Sequence, residues 1–154
     1  MRTIIPLAIL CLMLSSFLGC HKETEQDKVR KVITNLQKAG EEKDIKKISS
    51  SISKSYKDRQ GNNYGSIKGL VIAYFYQYPK ISIYITKLDV SVTGASAEAN
   101  FQTVLTSRGA AESAPAVLPE SLGVYAFDVV FKKESDEWKV VSAEWERVGD
   151  ADKL

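Results

Sequence analysis

The chain has 154 residues, a length that fits one domain with a short appendage, and its 21 Lys and Arg stand against 19 Asp and Glu for a formal net charge of +2. No stretch concentrates Lys and Arg, so nucleic acid is not expected as a partner, because phosphate binding needs a clustered excess of cations. A single histidine and two cysteines in the whole chain leave little material for histidine-dependent nucleophiles, zinc sites or a disulfide framework.

Arg2 precedes an uncharged, mostly apolar run from Ile4 to Leu14, and small residues then lead to Cys20. This is the layout of a secretory signal. The run is about eleven residues, well short of the roughly 20 that span a bilayer, so no permanent transmembrane helix is expected. Leu18-Gly19-Cys20 resembles the lipobox of bacterial lipoproteins, in which the cysteine thiol is diacylated, the signal is cut just before it and the new amino group is acylated in turn. The resemblance implies a signal peptide over residues 1–19, a lipidated Cys20 and a tether over residues 20–25. Each buried acyl methylene contributes about 0.8 kcal/mol, so two or three chains hold a protein on a membrane. His21 is not the aspartate that marks inner-membrane retention in such lipoproteins. The expected address is therefore the bacterial cell envelope, at the periplasmic face of the outer membrane.

Removing 19 of the 154 residues leaves 135 and takes Cys11 away. Cys20 is then acylated, and His21 lies in the polar run His21 to Gln26, which reads as a flexible tether. The folded region keeps no thiol and no histidine, so neither a cofactor nor a metal is expected, and apolar burial has to stabilise the domain.

From Glu25 to Ala39, Val29, Val32, Ile33 and Leu36 recur at helical spacing among Lys, Arg, Gln and Glu, which predicts an amphipathic helix. Ala39-Gly40 stops it, and a second short helix follows from Glu41 to about Ile52. Tyr56 to Asn63 is a polar loop. A third helix runs from Tyr64 to Gln77 and is closed by Pro79. Ile67, Leu70, Val71 and Tyr74 form one stripe, with Ile72, Phe75 and Tyr76 largely off it, so this helix is expected to be buried on more than one side. From Lys80 the period becomes two. Ile81, Ile83 and Ile85 alternate with polar residues, then Leu88, Val90 and Val92 continue with shifted parity, and a bulge near Thr86-Lys87 absorbs the shift. Thr93-Gly94-Ala95 turns the chain into a second strand with Ala97, Ala99, Phe101, Thr103 and Leu105 on one face. A loop over residues 107–121 precedes a strand from Leu122 to Lys133, carrying Tyr125, Phe127, Val129 and Phe131 on one face. The last strand runs from Trp138 to Val148, and residues 149–154 are a polar tail.

Three helices followed by four bent antiparallel strands, with the third helix ending at a proline, resemble the cone-shaped α+β fold of the nuclear transport factor 2-like superfamily. The residues that carry the resemblance are the Ala39 to Asp44 link, the Gly65 to Pro79 helix and the closing pair Tyr125 to Phe131 and Trp138 to Val141. It covers residues 26–148. Such cones curl an antiparallel sheet around a cavity capped by helices, and they serve isomerases, dehydratases, adaptors and binding domains alike, so fold does not settle function.

Enzymes of this superfamily use a cavity-facing acid or histidine with a phenolic or acidic donor. Here the strand acids are Asp89, Glu98, Asp128, Glu144 and Glu146, and alternation turns them away from the aromatic face. Only inverted parity would pair Asp128 with Tyr84 or Tyr125 for isomerase or dehydratase chemistry. The expected pocket lining is Tyr74, Tyr78, Tyr84, Phe101, Tyr125, Phe127 and Trp145, an apolar surface with a few hydroxyls that suits a hydrophobic small molecule. A non-enzymatic binding or interaction domain is expected, tethered by lipid, with a small ligand, an envelope protein or a second copy of itself as partner. Cys20→Ser is expected to release the protein from the membrane fraction and change its apparent mass; a variant that still pellets unchanged refutes the anchor.

Overall fold

The computed structural model describes residues 22–108 and 120–149. Cys20, the signal-like segment, most of the expected 107–121 loop and the tail from residue 150 lie outside them. Helices α1 (Glu25–Glu41), α2 (Ile45–Ser51) and α3 (Tyr64–Gln77) precede strands β1 (Lys80–Thr93), β2 (Ser96–Arg108), β3 (Glu120–Glu134) and β4 (Glu137–Gly149). The strands form one antiparallel meander in the order β1-β2-β3-β4. This is the α+β architecture expected, three helices on a curved four-stranded sheet.

Thr24 starts α1 through a capping box: its hydroxyl accepts from the Asp27 amide at 3.1 Å, and the Asp27 carboxylate accepts from the Thr24 amide at 2.9 Å. Two orphan amides are thereby satisfied. Val29 and Ile33 on the apolar stripe are buried. The helix continues past the expected stop at Ala39 to Glu41, and Gly40 serves the close approach of α1 to β1, where a Cβ would sit 2.7 Å from Ile83 Cδ1. Lys43, with a φ of 56°, makes the break instead. Asp44 then caps α2 by accepting from the Lys47 amide at 2.9 Å, so α2 begins at Ile45 rather than Glu41.

A second, polar stripe of α1 runs along the free edge of β1. Gln26 Nε2 donates to Val90 O at 3.2 Å, Arg30 to Leu88 O at 3.3 Å and Gln37 Nε2 to Ile83 O at 2.7 Å, while Glu41 accepts from the Ile83 amide at 2.9 Å. The other edge, β4, is covered by the chain after α2: the Ser53 amide bonds Val140 O at 2.9 Å and the Lys57 amide bonds Val141 O at 3.0 Å. Both edges are thereby partly covered.

The pairing of β1 with β2 shifts register between Thr86 and Asp89, and Lys87 has a φ of 52°. The expected bulge is therefore present. It keeps Ile81, Ile85, Leu88, Val90 and Val92 on the side that faces the helices. Further shifts occur in β2–β3 at Leu105/Thr106 and in β3–β4 at Val124/Tyr125 and Val130/Phe131. Together they bend the sheet.

The expectation for α3 needs correction. Asn63 caps it by accepting from the amides of Gly65 and Ser66 at 2.9 and 3.0 Å, but only Ile67 is buried. Leu70, Ile72, Tyr74 and Tyr76 are exposed, Tyr76 to 92%. The helix lies over the open side of the curved sheet, with one apolar layer beneath it and none above. Among the described residues no helix is long and apolar enough to cross a membrane.

The packed end of the core gathers Val29, Phe131, Val140 and Trp138. Trp138 Nε1 donates to Glu25 Oε2 at 2.8 Å, where Lys133 Nζ also lies at 3.2 Å, and Lys28 Nζ bonds Oε1 at 2.7 Å. These contacts, that of Lys28 first and Trp138 next, hold the Glu25 pKa at about 2 against an ordinary 4.5. A carboxyl depressed in the folded state adds stability that is complete above its unfolded value and is lost as pH falls through its folded value. Glu25→Gln is therefore expected to melt a few degrees below the parent near neutral pH. In thermal melts across the range, the gap should shrink below pH 4.5 and close by about pH 2.

Candidate functional site

Between the helices and the concave face of the sheet lies an open cavity of about 330 Å³, at the small end of the range of ligand clefts. The described lining is almost wholly apolar. From α3 it takes Ile67, Leu70, Val71, Tyr74 and Phe75, which is the predicted stripe together with Phe75. From α1 it takes Ile33, Leu36 and Gln37, and from β1 it takes Ile81, Ile83 and Ile85. Gln37 is already committed to Ile83 O.

Strand register arranges the concave face in rows. Ala97, Phe131 and Val140 are aligned at the packed end, then Ala99, Val129 and Ala143. Next come Phe101, Phe127 and Trp145, with the Phe101 and Phe127 rings stacked at 5.4 Å and the Phe127 and Trp145 rings at 6.4 Å. The following row changes character: Ile85, Thr103, Tyr125 and Arg147 are partners across all four strands. Thr103 is 4% exposed and lines the cavity, and its hydroxyl has no hydrogen-bond partner. A buried hydroxyl left unpaired costs about 1–3 kcal/mol.

Tyr74 reaches down from α3 to this row and is hydrogen-bonded to Tyr125. Burial, followed by the Tyr125 and Tyr78 phenols, pushes the Tyr74 pKa up, while the Arg147 charge opposes the rise. Arg147 shares the parity of Ala143 and Trp145, both of which line the cavity. Its guanidinium lies against Gly123, where a Cβ would meet Nε at 2.8 Å and Cζ at 3.2 Å. Gly123, with a φ of +117°, is thus required both by its backbone and by the cation packed on it.

Of the residues expected in the lining, Tyr74, Phe101, Tyr125, Phe127 and Trp145 are there. Tyr78 and Tyr84 are not. Tyr78 follows the end of α3 and packs beside the Tyr74 ring at 5.5 Å. Tyr84 is 58% exposed, because Ile83 and Ile85 on either side of it face inward and alternation sends it to the convex face. The parity of β3 is not inverted, so Asp128 is exposed on the convex face, beside Asn100 and Glu144 in register. It forms no pair with Tyr84 or Tyr125. Asp89, Glu98 and Glu146 are exposed as well, and Glu144 pairs with Arg59.

The sequence reading passed over one buried acid. Asp58, 6% exposed, accepts from the Asn62 amide at 2.8 Å, from Asn62 Nδ2 at 2.9 Å and from the Tyr56 hydroxyl at 3.1 Å. Burial alone would raise its pKa, but these bonds outweigh it and hold the carboxyl below its ordinary range. Burial, and then the charge of Asp58, push the Tyr56 phenol far up. Tyr56 lines the inner end of the cavity and Asp58 stands behind it, so the carboxylate closes its own loop and is not presented to a ligand. The described lining contains no acid, histidine or lysine. Asp58-x-x-Gly61-Asn62 was readable as a turn signal, and Thr103 and Arg147 as polar breaks in apolar alternation, but their convergence depends on register.

No protein-family model matches the chain, and no curated protein matches it in sequence. Solved structures do resemble it. A candidate dehydratase from the NTF2-like family of Streptomyces avermitilis aligns with a TM-score of 0.70 at 18% identity, over 79% of this chain and 95% of that one. An NTF2-like protein with a cystatin-like fold from Novosphingobium aromaticivorans aligns with a TM-score of 0.64 at 15% identity, over 96% and 92%. Bdellovibrio bacteriovorus Bd1075 aligns with a TM-score of 0.64 at 14% identity over 79% of this chain, which spans only 40% of that protein. At these identities the likeness is one of fold, and the described residues have the NTF2-like, cystatin-like cone fold.

Proposed function

We propose that this protein is a lipid-anchored envelope protein, tethered through Cys20, whose cone binds a hydrophobic small molecule without turning it over. The observation that carries the reading is the open apolar cavity with the unpaired Thr103 hydroxyl inside it. A packed core would have filled this space, and a buried hydroxyl facing a cavity gains its missing bond from a ligand. Neighbours named as dehydratases make catalysis the second reading. Among the described residues, the Tyr74–Tyr125 phenol pair is the reactive group that favours it, and the described lining offers no base to work with that pair.

A tether at Cys20 would give the cone a direction. Thr24 opens α1 beside Val90 and Trp138, at the packed end, while the polar row of Thr103, Tyr125 and Arg147 lies toward the other end of the same strands. Glu25 bonds Trp138 at one end and Gln37 bonds Ile83 beside the row at the other, so about 18 Å of helix separates the two. Anchored at Cys20, the cavity mouth would open away from the bilayer.

Mass spectrometry of the full chain recovered from its membrane tests the reading, with a bound hydrophobic small molecule as the expected result. A co-purifying envelope protein and an empty cavity would point instead to an interaction module, and turnover of the recovered molecule would point to an enzyme. Thr103→Val is expected to stabilise the unliganded protein by about 1 kcal/mol in urea titration, since it removes an unsatisfied hydroxyl while keeping its shape. A loss of stability would mean that this hydroxyl is structural.

A further inference from the structure

We infer that the cavity takes an amphiphile with an acidic head, its apolar body lying on the Phe101, Phe127 and Trp145 row and its head held by Thr103, Tyr125 and Arg147. The inference rests on the ligand-binding reading above and names the class of ligand. On the concave face, hydrogen-bonding groups and a cation appear together in one row, immediately above a row that is entirely aromatic. A molecule apolar throughout would leave the Thr103 hydroxyl as unpaired as it is without ligand.

The sign of the head follows from the charges around the row. Arg147 is a cation on the face that carries Trp145 and Ala143, and it acts on Tyr74 across the mouth. Lys43 adds a second cation on the helix side, where its Nζ bonds Phe75 O at 2.7 Å and lies 6.0 Å from the centre of the Phe75 ring, itself part of the lining. Glu41, an acid at this end of α1, is engaged with the Ile83 amide. The strand acids Glu98, Asp128 and Glu146 lie on the convex face, and Asp58 is sealed behind Tyr56. A carboxylate or phosphate head would meet the Arg147 and Lys43 cations and the Tyr125 phenol, and the planar guanidinium of Arg147 suits either. Its packing on Gly123 limits the freedom that binding has to remove.

The test uses the full chain in lipid nanodiscs, titrated with octanoate, octan-1-ol and octyltrimethylammonium and followed by the change in tryptophan fluorescence. Trp145 in the lining is the responding ring, and Trp138, buried at the packed end, is a constant background. Partition into the bilayer is common to parent and variants and cancels between them. Octanoate is expected to bind about tenfold more tightly than octan-1-ol, the margin of a charge-assisted over a neutral hydrogen bond, and octyltrimethylammonium more weakly than either. Arg147→Gln should abolish the preference for the acid, weakening octanoate far more than octan-1-ol; Arg147→Lys should restore part of it. If Arg147→Gln fails to fold, Tyr125→Phe keeps the ring and should reduce the preference by itself. Equal binding of acid and alcohol, tighter binding of the cation, or an acid preference that survives both substitutions overturns the acidic head while leaving the cavity reading in place. No response to any of the three probes overturns both.

Discussion

The alignment of α1 along the free edge of β1 is the constraint on which the rest of the cone depends. One helix does two jobs with two stripes. Val29 and Ile33 drive apolar burial, while Gln26, Arg30, Gln37 and Glu41 complete backbone hydrogen bonds that an edge strand would otherwise give to water or to another chain. These polar contacts set where the helix sits along the strand, and Gly40 sets how close it comes. With α1 placed, the sheet can curl only toward it.

The curl leaves more room than the side chains fill. At the packed end Phe131 and Val29 are almost wholly excluded from water, and small residues, Ala97 and Ala99, let the helices approach the sheet. Toward the mouth the large side chains lie flat against one another, as in the stacked Phe101 and Phe127 rings, and line the space without crossing it. The helix above, α3, lies over the gap and keeps apolar side chains on its outer surface. The same geometry explains why the buried acid is inert. Asp58 has its lone pairs taken up by Asn62 and Tyr56, so its charge stabilises the loop that brings Tyr56 to the inner end of the cavity.

Much of this is local information, and the sequence by itself determined it. Helical spacing marks α1 and α3, a change to period two at Lys80 marks the sheet, and the parity shift after Ile85 requires a bulge, which appears with Lys87 in the left-handed region. Alternation also sorts Phe101, Tyr125, Phe127 and Trp145 to one face and Asp128 to the other, and it should have excluded Tyr84 from the lining, since Tyr84 stands between Ile83 and Ile85. What only the tertiary structure decided is which of these residues meet. Thr103, Tyr125 and Arg147 form a row because two strand pairings, each with its own bulges, bring them level, and register between strands is a non-local quantity that no single segment encodes. The outward apolar face of α3 was equally hidden: an all-apolar helix normally indicates burial on every side, and only the curvature of the sheet beneath it leaves this one covering an open space.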